Sequence, residues 1–134
     1  MKYPKKIYAI FPYESNGKVA GVYVGITNNL KIRIANHFYD HSSCQPELHD
    51  LMRKNGYSYL VLGEISRYKD GYLEYDWIDF FSKKTRLKIF NKSVGLLGAD
   101  FSRAISQVTL DEAKKIKSAL EVEIPLEELF EQTT

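Results

Sequence analysis

At 134 residues, with 44% apolar and 27% charged residues, the chain has room for one globular domain with a real core and too little for two ordinary ones. That balance excludes wholesale disorder, and the want of any apolar run near about 18 residues excludes a helical membrane span. The formal charge of +2 conceals an asymmetry: residues 110–134 hold three lysines against seven acids, leaving 16 basic and 10 acidic groups on residues 1–109, the pattern of a polyanion-binding body followed by an acidic module.

In chain order, Met1 to Lys6 carries no signal-peptide core, and Cys44 is the only cysteine, so a reduced, cytoplasmic protein with no membrane partner is expected. Residues 6–13 and 18–26 are rich in β-branched and aromatic residues and flank Asn16-Gly17, a strong hairpin signal. A helix is expected over about 29–40, capped by Thr27 or Asn28, with Leu30, Ile34 and Phe38 on one face and Arg33 and His37 on its flank. A second helix should span about 45–54 and end at Asn55-Gly56, and residues 57–65 form a third strand. A helix over about 72–83 buries Leu73, Trp77, Ile78 and Phe81, with Glu74 on the apolar side and Asp76, Asp79 and Lys83 opposite. Residues 83–92 hold five basic groups and no acid, Gly95 and Gly98 mark a loop, and two helices near 109–120 and 125–132 close the chain. The order β-β-α-α-β-α predicts an α+β fold, a small three-stranded antiparallel sheet flanked by helices.

Ile7-Tyr8, then Asn16-Gly17-Lys18, then Tyr23-Val24-Gly25 with Arg33 eight residues on and His37 four further, resembles the opening of the GIY-YIG nucleases. Gly63-Glu64-Ile65, Glu74-Tyr75-Asp76-Trp77-Ile78, Phe90-Asn91 and His41-Ser42-Ser43 continue the likeness, which is greatest to the catalytic domains of phage homing endonucleases. The first motif lacks its glycine, reading Lys6-Ile7-Tyr8, and the two tyrosines, 15 residues apart, are joined by a longer hairpin than is usual. The resemblance implies a catalytic domain over residues 1–95; the charge and helical pattern of residues 96–134 give the expectation of a linker and an acidic helical extension, a surface for a protein partner. The resemblance also implies a metal-dependent DNA endonuclease with Tyr8, Tyr23, Arg33, His37 and Glu74 in its active site.

Phosphodiester hydrolysis needs an activated water, charge stabilisation at phosphorus and help for the leaving oxygen. A carboxylate such as Glu74 suits Mg²⁺ (or Mn²⁺), which keeps several waters in its shell. Arg33 offers the planar fork that matches phosphate oxygens. A free tyrosine is a weak base at neutral pH; the resemblance assigns one of Tyr8 and Tyr23 to the water, and the sequence does not choose between them. As bare strand residues both would simply pack. His37 suits a proton relay. The DNA track is expected on Lys18, Lys31, His41, Lys83, Lys84, Arg86, Lys88, Asn91 and Lys92, where lysines and arginines neutralise phosphates. Two rivals remain: a catalytically silent nucleic-acid-binding module, and a zinc hydrolase built on His37 and His41, which lacks the glutamate expected after the first histidine.

Overall fold

A computed structural model describes residues 4–39, 45–65, 73–85 and 87–91. His41, Arg86, Lys92, the side chain of Lys84, the glycine-marked loop and the two C-terminal helices lie outside the described residues. The elements are β1 (Lys5–Pro12), β2 (Gly21–Thr27), α1 (Leu30–Tyr39), α2 (Pro46–Asn55), β3 (Tyr57–Ile65), α3 (Leu73–Lys84) and β4 (Lys88–Ile89). No helix among the described residues is long and apolar enough to cross a membrane.

Asn-Gly turns the chain between β1 and β2 because glycine tolerates positive φ, here 84° at Gly17. The turn is tied by Gly17 N–H to the Glu14 carbonyl (2.9 Å) and by Lys18 N–H to Asn16 Oδ1 (2.9 Å). β1 then pairs antiparallel with β2 on one side and β3 on the other. Between Ile7 and Tyr8 the β3 register slips, leaving Leu62 as an extra residue between Val61 and Gly63. The slip turns Leu62 into the core.

The sheet has four strands, in the order β3-β1-β2-β4, where the sequence predicts three. The additional strand is two residues long and runs parallel to β2, pairing Gly21 with Lys88 and Val22 with Ile89. Two residues carry no alternation to read, and the pairing depends on a distant partner. Gly21 makes it possible: a Cβ there would lie 2.5 Å from the Lys88 carbonyl and 2.6 Å from the Phe90 ring.

Two apolar clusters sandwich the sheet. Ile7, Ala9 and Phe11 of β1 join Val22, Val24 and Leu62 under α3 residues Trp77, Ile78, Phe80 and Phe81. The alternate β1 residues, Tyr8 and Ile10, pack with Ile34, Leu48, Met52 and Phe90 on the side of α1 and α2. Helix α3 departs from the amphipathic reading, since Asp76 and Asp79 are buried rather than facing water. Asp79 pairs with Lys83 one turn on, at 2.8 Å. A helix so nearly enclosed buries polar positions that a single-faced pattern assigns to solvent.

Candidate active site

Strand alternation decides which side chains can meet. Tyr8, Gly25 and Tyr23 share one sheet face because Tyr8 pairs with Gly25 and Ile10 with Tyr23 across the β1–β2 ladder. Helix α1 crosses that face. Its first turn is fixed by Asn29, one residue later than the expected cap, whose side chain accepts the Ile32 N–H at 3.2 Å. Thr27 supports Asn29 in turn, its hydroxyl accepting the Asn29 N–H at 3.1 Å. From that start the helix brings Arg33 and His37, one turn apart, down onto the two tyrosines.

The Tyr8 hydroxyl is the hub. It lies 2.9 Å from His37 Nε2 and accepts from Arg33 Nε at 3.4 Å. The Tyr23 ring stands edge-on to the His37 ring at 4.9 Å and 6.4 Å from that of Tyr8. Gly25 makes room for this arrangement, since a Cβ there would lie 2.4 Å from the Tyr8 hydroxyl oxygen and 2.5 Å from Cζ. Glycine is therefore required by a side chain crossing its α-carbon, not by its backbone angle.

Protonation follows from burial. Burial and the neighbouring Arg33 charge hold His37 down at about 4, so the imidazole is neutral at pH 7. With Arg33 donating into the Tyr8 oxygen, the Tyr8 O–H donates to His37 Nε2 in the tautomer that carries the ring proton on Nδ1. Burial holds the Tyr8 phenol well above its ordinary value, against the lowering effect of the Arg33 hydrogen bond; the charges of Tyr23 and Glu74 raise it further. Glu74, half-buried at the start of α3, is close enough to be felt at that hydroxyl. Its own carboxyl is raised by burial. Arg33 is raised, chiefly by its hydrogen bond to Tyr8, with Tyr23 acting in the same direction.

The donor set bears on the metal expectation. No group of three or more His, Cys, Asp or Glu residues suited to a metal occurs among the described residues. His37 Nε2 is already engaged by Tyr8. What the site offers is one partly desolvated carboxylate, which a cation would relieve. That fits a hard divalent ion held by one carboxylate, waters and substrate phosphate better than a closed zinc cage.

The remaining candidates are scattered. Lys18 lies on the exposed hairpin and Lys31 on the exposed side of α1. Lys83 is paired with Asp79, and Lys88 is paired with Glu47 and stands over the Phe90 ring. Asn91 is turned inward: its Oδ1 accepts the Val24 N–H at 2.9 Å and its Nδ2 donates to the Val24 carbonyl at 2.8 Å. That side chain extends the β2–β4 ladder past the strand's end and pins the backbone between Tyr23 and Gly25.

His49 escapes the sequence reading. Buried on α2, it places Nδ1 3.2 Å from the His37 carbonyl and so ties the last turn of α1 to α2. The available signal was a histidine between Leu48 and Met52 on the apolar side of a helix, which by itself reads as packing.

A family model described as the GIY-YIG catalytic domain matches residues 4–88. Comparisons with curated proteins and with solved structures give no match. The matched segment contains Tyr8, Tyr23, Arg33, His37 and Glu74 and covers more than half of the chain. The chain belongs to the GIY-YIG family of nucleases.

Proposed function

We propose that this GIY-YIG nuclease is a metal-dependent DNA endonuclease whose active site comprises Tyr8, Tyr23, Arg33, His37 and Glu74. The observation that carries the reading is the Tyr8 hydroxyl, which accepts from Arg33 and lies within hydrogen-bond distance of His37 on the face that also bears Tyr23. Core packing gives no reason to bury a tyrosine hydroxyl between a guanidinium and an imidazole, whereas hydrolysis of a phosphodiester uses all three.

In this reading a water meets phosphorus beside Tyr8. The Tyr8 oxygen takes the water's proton as its own passes to His37 Nε2, so no free tyrosinate has to form in a buried site. The phosphate's negative charge favours the imidazolium that results. Arg33, at the exposed edge of the site, binds phosphate oxygens through its fork and stabilises the charge that builds on them. Glu74 would hold Mg²⁺ or Mn²⁺, which supplies Lewis acidity at the phosphate and support for the leaving oxygen when bound. Tyr23, edge-on to His37, helps to hold Arg33.

The substrate is duplex DNA, reached through the basic body, on which Lys18 and Lys31 are exposed. The test is nicking of supercoiled plasmid by the full chain with Mg²⁺, alongside Glu74→Gln. Nicking that the substitution abolishes supports the reading. Tight plasmid binding with no nicking under Mg²⁺ or Mn²⁺ would replace it with the silent binding module.

A further inference from the structure

Beside the candidate active site, on the other flank of α1, runs a groove of about 830 Å³, within the size range of ligand pockets. Lys6 of β1, Asn28 before α1, Lys31 and Tyr39 of α1, and Tyr57 and Tyr59 of β3 are among its walls. Two of those rings are offered to solvent: Tyr39 is 70% exposed and Tyr59 49%. Tyr39 touches Phe38 edge-on at 4.8 Å and has the Arg53 guanidinium 6.0 Å from its centroid, which adds a cation beside the exposed ring. Among the described residues no acidic side chain lines the groove, and Glu64, opposite Lys6 in the β1–β3 ladder, is not one of its walls. Among the described residues neither Lys6 nor Lys31 is in an ion pair.

We infer that this groove binds an unpaired nucleotide flanking the cut site, so that the preferred DNA carries a single-stranded extension or branch next to the duplex. The inference rests on the nuclease reading above and adds a substrate class to it. Exposed aromatic faces, amides and lysines together suit single-stranded nucleic acid: rings stack on bases, lysines meet the backbone, and amides reach base edges. A base inside a duplex is already stacked on both sides and offers a tyrosine no face. An apolar peptide segment would leave two ammonium groups and the Asn28 carboxamide facing its side chains.

Position supports the same occupant. Lys6 and Tyr8 project from one face of β1 two residues apart, about 7 Å along the strand. A nucleic-acid strand with one phosphate at Arg33 and Tyr8 therefore has its neighbouring nucleotides at the groove mouth. Tyr39 and Tyr59 lie on different elements, one on each side, so a single splayed base enters between helix and sheet.

The experiment uses the full chain without divalent cation, and two DNA hairpins: one blunt, the other bearing a five-nucleotide unpaired extension with 2-aminopurine at its first unpaired position. The expected result is about tenfold tighter binding of the extended hairpin, with quenching of the 2-aminopurine as it stacks. Tyr39→Ala with Tyr59→Ala should erase both effects, and the corresponding pair of phenylalanine substitutions should keep them. Neither change should alter nicking of blunt duplex in Mg²⁺. Equal binding of the two hairpins without quenching overturns the groove's assignment, and continued duplex nicking then shows that the nuclease reading survives it. Displacement of the extension by poly-glutamate at comparable charge concentration also overturns it, because the groove would then be a site for acidic polypeptide. If duplex is neither bound nor cut, the nuclease reading fails and this inference falls with it.

Discussion

The two faces of one sheet have been put to opposite uses. Against α3, β1 presents Ile7, Ala9 and Phe11, and the opposing residues are Trp77, Ile78, Phe80 and Phe81, a hydrocarbon and aromatic layer. Phe11 meets Phe81 at 5.9 Å and Trp77 meets Phe80 at 5.5 Å, both edge to face, the favoured geometry for such rings. One residue along the same strand, Tyr8 points the other way into a guanidinium, an imidazole and a second tyrosine. Alternation along a strand lets a single eight-residue segment build both the rigid layer and the reactive one. The apolar face can supply stability that the polar face does not, because buried ionisable groups there cost desolvation.

The contrast is sharpest at Glu74, which sits at the end of the helix that builds the apolar face but whose charge reaches Tyr8. Glu74→Gln should lower cleavage by at least about 10³-fold, as expected for loss of a metal-binding carboxylate and its charge stabilisation. Because burial raises the Glu74 carboxyl, its ionised form is a strain on the folded state at neutral pH, and the same substitution should raise the melting temperature in EDTA. Mg²⁺ should then raise the melting temperature of the parent and leave that of the variant unchanged. A variant less stable than the parent in EDTA would show that Glu74 holds the fold instead.

Arg33→Lys should fall nearly as far as Arg33→Ala, on the order of 10²-fold or more in cleavage rate, because a point charge cannot reproduce the fork between Tyr8 and phosphate. Recovery of most activity by lysine would mean that Arg33 supplies only general positive charge.

Two glycines of the sheet differ sterically. Gly25→Ala drives a methyl group into the Tyr8 phenol and should cost about 1–3 kcal/mol of stability, with cleavage lost as Tyr8 is displaced. Gly63→Ala meets nothing within 4 Å and should stay within about 0.5 kcal/mol of the parent. Urea unfolding of both variants tests the pair; equal costs would mean that Tyr8 does not cross Gly25 as described.

The acid limb of stability tests the neutral histidine. With the folded His37 at about 4 against 6.5 when unfolded, its contribution is complete above pH 6.5 and is lost as the pH falls towards 4. Between pH 6.5 and 5 the loss should be about 1–2 kcal/mol, and His37→Gln should flatten that part of the curve. An unchanged slope in the variant would reassign the acid limb to carboxylates elsewhere.

The smallest effect concerns the basic run. Lys83→Ala with Lys88→Ala should weaken binding of all duplex sequences alike and make the salt slope shallower by at most about two. The ion pairs with Asp79 and Glu47 already satisfy part of each lysine's charge, which favours a value below that limit. A sequence-dependent loss would place these lysines at base edges.

The local pattern by itself determined the order of helices and strands, the Asn-Gly hairpin and the one-turn spacing of Arg33 and His37. It also supplied the family resemblance that the match over residues 4–88 bears out. These are short-range properties: strand alternation, helical period and turn chemistry all lie within a few neighbouring residues. The tertiary structure decided what depends on partners far apart in the chain. Tyr8 meets His37 across 29 positions, and Asn91 meets Val24 across 67, turning a residue expected at the DNA into a clamp on β2. The two-residue β4, the burial of Asp76 and Asp79, the His49 tie to α1 and the tyrosine-lined groove share that origin. Each depends on which surfaces the folded chain encloses, and a sequence window carries no record of enclosure.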